Sequence, residues 1–147
     1  MNQKNFNPHE RRRARRYALQ ALYQWRFSGD DLFNIERHFL NEYNMKNVEV
    51  SYLKELLHGI PKHLTELDQA FKPFLDREIK ELDPIELIAL RLGTYELMLR
   101  LDIPYKVAIN EAVELTKKFG TVEGYKYINA ILDKLAFNLR PHECQAK

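Results

Sequence analysis

The sequence has little cysteine, glycine and proline, and each scarcity excludes certain fold classes or kinds of site. Cys144 is the only cysteine among 147 residues, which excludes an internal disulfide framework and a cysteine-based zinc site. A single cysteine also fits a reducing compartment. Five glycines and six prolines leave few turns, which argues against a many-stranded β-sandwich or barrel.

Long apolar runs are also missing. No stretch reaches the roughly 18 residues of a membrane span, because the best candidate, residues 85–101, contains four charged side chains. The first residues lack the apolar centre of a secretory signal. We therefore predict a cytoplasmic protein with no membrane partner.

The composition is that of a globular chain with an uneven distribution of charge. Hydrophobic residues make up 45% and charged residues 30% of the chain, enough apolar material for a single-domain core. Residues 1–26 carry seven basic side chains and one acidic one, whereas the remainder carries 16 basic and 20 acidic ones. A basic end on an acidic body suggests a polyanionic partner at one place.

The apolar residues recur at helical spacing and nowhere alternate as in a strand. Asn7-Pro8 and Asp83-Pro84, each with a glutamate three residues after the cap, are helix start signals. We predict an all-α protein, a compact bundle of about seven helices forming one domain over residues 1–147. We predict a first helix at about 8–28, a kink or junction at Pro61 and a short helix over 74–82. The last predicted helix runs from about 121 to 139 and is capped by Thr121, and residues 141–147 are predicted to form a flexible tail.

The sequence contains no recognisable catalytic or metal-binding motif. No histidine pair has the spacing of a helical zinc site, and no phosphate-binding glycine loop or nucleophile elbow occurs. Glu86 and Glu111 could be paired carboxylates, but spacing alone does not support that reading. We therefore predict no catalytic residues, no metal and no cofactor.

The first helix carries two faces of different character. Ala14, Ala18 and Trp25 centre the predicted buried stripe, and the opposite face holds Leu19 and Tyr23 among arginines. Arginines neutralise phosphates and an aromatic ring can stack on an unpaired base, so this face is a candidate nucleic-acid surface. The alternative is a solvated arginine-rich face with a partly buried tyrosine.

A second polar cluster opens the last predicted helix. Lys117 and Lys118 precede Phe119, and Lys126 and Tyr127 follow in the first turns. Lysines beside aromatics at a helix N-terminus suit phosphates and bases. Core packing of both aromatic rings is the competing interpretation.

Three segments of the chain resemble the NusB family of bacterial transcription antitermination factors. The segments are ERRRARRYALQALYQW, PYKVAINEAVELTKKFG and KYINAILDKLAFNLRP, and the resemblance extends from about Glu10 to Pro141. It implies two small helical subdomains, pairing with the ribosomal small-subunit protein NusE, and binding of boxA-type single-stranded RNA in nascent ribosomal RNA transcripts. The pair would join the elongating RNA polymerase and suppress premature termination, without catalysis.

The resemblance also implies two sets of site residues. The RNA-binding set is Arg11, Arg12, Arg13, Arg15, Gln20, Phe119, Glu123, Lys126 and Tyr127. The partner-binding set is Tyr23, Glu86, Arg91, Tyr105 and Glu111. Tyr23 belongs to the partner set here, whereas its position opposite the buried stripe is equally compatible with RNA.

Other functions remain open from the sequence. The first alternative is a helical protein–protein scaffold without its own RNA specificity, whose arginine helix docks on an acidic partner. A helix-turn-helix DNA regulator is a second, although no helix precedes the basic one to form that motif. A third is the helical part of an RNA-modifying enzyme whose cofactor-binding βαβ region is absent. A homodimer is also possible.

Overall fold

A computed structural model describes residues 6–145 of the chain, in which every regular element is a helix. The eight α-helices are α1 (Pro8–Ser28), α2 (Leu32–Glu42), α3 (Val50–Lys62), α4 (Leu64–Phe71), α5 (Pro84–Leu99), α6 (Tyr105–Phe119), α7 (Gly124–Leu139) and α8 (Pro141–Gln145). Two single-turn 3-10 helices, Lys72–Phe74 and Ile79–Glu81, lie between α4 and α5. No described helix is long and apolar enough to cross a membrane.

The helix ends follow from side chains that satisfy free backbone groups. The Asn7 side chain accepts hydrogen bonds from two N–H groups at the start of α1, and Asp83 does the same at the start of α5. The Thr121 hydroxyl accepts from the N–H of Gly124 at 3.0 Å. Gly29 ends α1 with φ 69°, a left-handed conformation that favours glycine.

The chain divides into two compact units, Met1–Gly59 and Ile60–Lys147. In the first, α1 packs on α2. Alanines at 14, 18 and 21 are fully buried, and their small size permits a close approach between helices. The rings of Tyr17, Phe39 and Tyr43 contact one another.

The second unit is built around α5, which packs against α4, α6 and α7. Nearly every residue of α5 from 86 to 97 is buried, as expected for a helix enclosed on all sides. A β-carbon at Gly93 would lie 2.8 Å from Leu132 Cδ1 and 3.2 Å from Ala112 Cβ. The glycine therefore lets α5 approach both neighbouring helices.

Several predicted boundaries hold and others shift. The first helix matches the prediction, and α3 and α4 abut at His63, just after Pro61. Two 3-10 turns, Lys72–Phe74 and Ile79–Glu81, replace the short helix predicted over 74–82, and the last long helix begins at Gly124 and not at the predicted residue 121. Residues 141–145, expected in a flexible tail, form α8, while 146 and 147 lie outside the described residues.

The predicted exposure of Leu19 is wrong, because that residue is only 1% exposed. The buried positions of α1 include Arg15 and Leu19 as well as the alanines, and together they cover an arc of roughly 160° at 100° per residue. A stripe of apolar residues alone underestimates this arc. Tyr23, by contrast, is exposed as predicted.

Candidate nucleic-acid and partner interfaces

Arg11, the first arginine of α1, is bound by other side chains of this chain. Arg11 donates two hydrogen bonds of 2.9 Å to the Glu49 carboxylate, one from Nε and one from Nη2. Its guanidinium also lies over the Tyr52 ring, 4.3 Å from the centroid. Only 12% of the Arg11 side chain is exposed. This bidentate, partly buried pairing fixes the side chain and neutralises its charge.

The other arginines of the predicted RNA set differ in exposure. Arg15 is buried, with its guanidinium 5.7 Å from the Tyr52 centroid, and Arg12 is half-buried. Arg13 is exposed and donates to the Asn47 carbonyl at 3.1 Å. Arg13 is therefore the most accessible cation among these four.

Gln20 lies one turn further along α1. It is half-buried, and its side-chain amide donates to the Arg16 carbonyl of its own helix at 3.2 Å. The same carbonyl is the usual acceptor of the Gln20 backbone N–H in a helix. The amide side chain is thus held against α1 in this conformation.

An exposed aromatic pair occupies the last turns of α1. The rings of Tyr23 and Phe27 lie 4.7 Å apart, and the two side chains are 41% and 60% exposed. Arg26 lies 5.9 Å from the Phe27 centroid. Large exposed aromatics of this kind often mark a contact surface. Phe27 is absent from the predicted sets, although its i, i+4 spacing from Tyr23 could have revealed it.

The connection between α6 and α7 carries the second part of the predicted RNA set. Phe119 is half-buried, and the Lys118 ammonium lies 5.8 Å from its ring centroid. Glu123 and Lys126 are exposed, and Tyr127 is half-buried. The charged residues at the start of α7 are therefore exposed, and Tyr127 lies at the edge of the buried surface.

Tyr127 belongs to a cluster that its own helix does not reveal. Its hydroxyl donates to Asp76 Oδ1 at 2.8 Å and accepts from the Asp76 backbone N–H at 3.3 Å. Arg77 donates to the same carboxylate at 2.7 and 3.3 Å, and its guanidinium lies over the Tyr127 ring, 4.5 Å from the centroid. These three residues are called the Arg77 cluster below.

The charges of the Arg77 cluster are fixed by these hydrogen bonds. Donation from Arg77, and then from Tyr127, lowers the pKa of Asp76 from 3.8 to about 2. The carboxylate in turn raises the pKa of Arg77. Burial is the main cause of a raised pKa for Tyr127, so its hydroxyl keeps its proton. At neutral pH the cluster thus contains one carboxylate, one guanidinium and a neutral phenol.

The start of α7 is packed against a carboxylate of the protein. Glu86 is buried, and its Oε2 accepts from the Thr121 hydroxyl at 3.4 Å. A β-carbon at Gly124 would lie 3.0 Å from Glu86 Cδ and closer still to Oε2, so only glycine fits without movement. Burial, followed by repulsion from Asp83, raises the pKa of Glu86. This helix start already faces an acidic group, which weakens its attraction for phosphate.

The remaining partner-set residues of the second unit are largely engaged internally. Arg91 donates two hydrogen bonds of 2.9 Å to Asp68 and is 12% exposed. Glu111 is buried. Tyr105 is half-buried, and its backbone N–H donates to Glu143 Oε2 at 2.8 Å. Burial raises the pKa of the Tyr105 phenol, which therefore remains a neutral hydrogen-bonding group.

Sequence reasoning did not find Asp76 and Arg77. They lie 51 and 50 residues before Tyr127, between two 3-10 turns, and only the fold brings them to α7. The adjacent acidic and basic residues resemble any solvated surface pair, so spacing gives no signal. Within residues 6–145 no group of three potential metal ligands comes together.

Comparison with known proteins gives a consistent result for sequence and structure. The model of the NusB family matches residues 12–137. Transcription antitermination protein NusB from Idiomarina loihiensis is 52% identical over 134 residues, covering 91% of this chain and 96% of that protein.

Two solved structures are similar to this chain. One is T. maritima NusB, with 29% identity, a TM-score of 0.73 and coverage of 90% of this chain and 92% of that one. The other is described as antitermination factors NusB and NusE in complex with dsRNA, with 26% identity, a TM-score of 0.78 and coverage of 90% and 99%.

Proposed function

The chain belongs to the NusB family, and we propose that it is a transcription antitermination factor that pairs with NusE and binds boxA-type RNA. The observation that carries the proposal is a relative named as an antitermination protein, half-identical over nearly its full length. The solved complex of NusB and NusE with dsRNA supports the choice of NusE and RNA as partners. The pair would act with the elongating RNA polymerase to suppress premature termination.

RNA contact is assigned to side chains in both units. On α1, Arg13 offers an accessible charge, while Arg11 and Arg15 shape the surface from paired or buried positions. Gln20 and Arg12 flank them. At the start of α7, Phe119, Glu123, Lys126 and Tyr127 complete the set. Cations supply phosphate affinity, and Phe119 and Glu123 supply contacts to bases.

NusE contact is assigned to the partner set. Tyr23 is the exposed aromatic of that set and Tyr105 is half-buried with a neutral phenol. Arg91, Glu86 and Glu111 are mostly buried in this chain, so they would act chiefly by fixing the shape of the surface. Tyr and Arg are enriched at the centres of protein interfaces.

The proposed role is one of binding, with no reaction catalysed and no cofactor. Because transcription is its setting, we place the protein in the cytoplasm. The second candidate is a protein scaffold that lacks its own RNA specificity. The internal pairing of Arg11 and the burial of Arg15 favour that candidate, since neither guanidinium is freely offered to a phosphate.

Fluorescence anisotropy tests both candidates. A labelled boxA-type single-stranded RNA is titrated with the protein, with and without NusE, at two salt concentrations. A scrambled RNA of equal length and a duplex of the same sequence are the controls. We expect salt-sensitive binding that becomes tighter and sequence-selective when NusE is added. With about four phosphate contacts, the log–log salt slope should be near −3.

The outcomes separate the two candidates. Tight NusE binding without any preference for the boxA-type sequence would support the scaffold. Equal affinity for duplex and single strand would contradict the single-stranded assignment. Equal RNA affinity at dilute and concentrated protein would contradict a homodimer that covers the arginine helix.

A further inference from the structure

The Tyr127 ring is not a bare stacking platform in this structure. The Arg77 guanidinium lies over it at 4.5 Å, so a base approaching that face meets the guanidinium before the ring. Half-burial of Tyr127 restricts access further. Arg77, in contrast, is 43% exposed through its side chain. The outermost planar group at this face is therefore the guanidinium.

The hydrogen bonds of Arg77 restrict what it can bind. Phosphate is recognised best by the forked edge of a guanidinium, which donates two parallel hydrogen bonds. In Arg77 the edge formed by Nε and Nη2 already donates to Asp76. The carboxylate also offsets the positive charge. What stays available is the outward planar face, together with Nη1.

We propose that the outward face of the Arg77 guanidinium stacks on an unpaired base of the bound RNA, with Asp76 and Tyr127 as the residues that position it. This inference rests on the proposed RNA-binding function and adds a contact residue absent from the assigned set. Unpaired bases stack on guanidinium planes as well as on aromatic rings. A guanidinium that the Asp76 carboxylate holds over the Tyr127 ring can offer its plane to an unpaired base, which favours single-stranded over duplex RNA.

Three variants of the full chain separate stacking from charge. Arg77→Lys keeps the positive charge and removes the plane, and Arg77→Gln removes the charge as well. Lys80→Gln is the matched control, because Lys80 lies three residues away, has a side chain that is 81% exposed and forms an ion pair with Glu78 at 3.8 Å. Each variant is titrated with the labelled boxA-type RNA in the presence of NusE, after its thermal unfolding has been compared with the parent.

Stacking on one base corresponds to about a fivefold or larger change in affinity. We therefore expect both Arg77 variants to weaken RNA binding at least about fivefold and Lys80→Gln to change it less than twofold. If Arg77→Lys binds like the parent, Arg77 contributes only charge and the proposal is wrong. The same conclusion follows if Arg77→Gln and Lys80→Gln have equal effects.

A spectroscopic measurement distinguishes contact from a structural role. The Nε–H resonance of Arg77, assigned by its loss in Arg77→Lys, should move upfield on RNA addition because the stacked base exerts a ring current. An unchanged resonance at saturating RNA would overturn the proposal. Failure of the parent protein to bind RNA would instead contradict the proposed function itself.

Discussion

Two clusters in this molecule have almost the same composition and geometry but opposite exposure. Arg11 donates twice to Glu49 and lies 4.3 Å from the Tyr52 centroid. Arg77 donates twice to Asp76 and lies 4.5 Å from the Tyr127 centroid. The Arg11 and Glu49 side chains are 12% and 27% exposed, however, whereas the Arg77 and Asp76 side chains are 43% and 67% exposed.

This difference in exposure predicts that Arg11 stabilises the fold and that Arg77 contacts a ligand. Removing one member of a charge pair that is shielded from water destabilises the protein, because the remaining charge is left without a partner. An exposed pair contributes little to stability, since water screens it and solvates each member alone. Arg11 should therefore stabilise the first unit, while Arg77 is free to serve a ligand. Arginine content alone does not distinguish these roles.

The largest expected effect is on stability, from the shielded pair. Arg11→Ala leaves the Glu49 carboxylate, which is 27% exposed, without its bidentate partner. We expect a loss of about 2–3 kcal/mol, less than for a fully buried pair. Urea denaturation monitored by circular dichroism measures it. Arg77→Ala is the matched variant and should lower the unfolding midpoint far less, because that pair is exposed to water. Equal shifts in the two variants would refute the distinction.

The second effect concerns the packing of Gly124 against Glu86 at the start of α7. Gly124→Ala forces the buried Glu86 carboxylate to move, so we expect a loss of about 1–3 kcal/mol from overpacking. One added methyl group should thus cost more stability than removal of the entire Arg77 side chain. Asn129→Ala, at an exposed position of α7, is the control and should be neutral or slightly stabilising. A stable Gly124→Ala variant would show that Glu86 repacks freely.

The sequence predicts the helices of both clusters but not their contacts. Capping by Asn7, Asp83 and Thr121 and the apolar periodicity are local properties, so α1 and the start of α5 are predictable. The family resemblance supplies Arg11 and Tyr127. Glu49 and Asp76 lie 38 and 51 residues from their partners, and no local pattern connects such positions.

Exposure is the second property that the sequence does not give. Leu19 appears opposite the apolar stripe of α1 and is nevertheless buried, because the contacting surface of that helix is wider than its apolar residues. Arg15 is buried for the same reason. Two arginines with the same helical surroundings in the sequence, Arg13 and Arg15, thus differ in accessibility. Tertiary packing alone makes that difference.

The third effect is on protonation and compares Asp76 with Glu86. The folded pKa of Asp76 lies below its unfolded value, so its stabilising contribution is present above pH 3.8 and is lost as the pH falls toward about 2. The folded pKa of Glu86 is raised, so stability is lost as the pH rises through that pKa. Carboxyl NMR titration should show the two transitions in this order, Asp76 at the lower pH.

Variants identify the causes of these two shifts. Arg77→Gln should move the pKa of Asp76 back toward 3.8, because its largest cause is the Arg77 hydrogen bond. Glu86→Gln should remove the loss of stability that accompanies ionisation of Glu86. An unchanged Asp76 titration in Arg77→Gln would mean that the exposed pair is not formed in solution, and the comparison of the two clusters would fail.

The smallest expected effect is on the salt dependence of RNA binding. Arg13 is exposed and makes a single hydrogen bond to the Asn47 carbonyl, so its charge is offered to the phosphate backbone. Arg13→Gln should make the log–log salt slope shallower by about 0.7, the contribution of one phosphate contact on a single strand. Anisotropy titrations at four salt concentrations, with NusE present, measure the slope.

Arg77→Gln should leave the slope nearly unchanged while weakening binding at every salt concentration, because stacking releases no counterion. If the salt slope changes as much in Arg77→Gln as in Arg13→Gln, Arg77 contacts a phosphate. The proposed difference between a phosphate contact by Arg13 and base stacking by Arg77 would then be wrong.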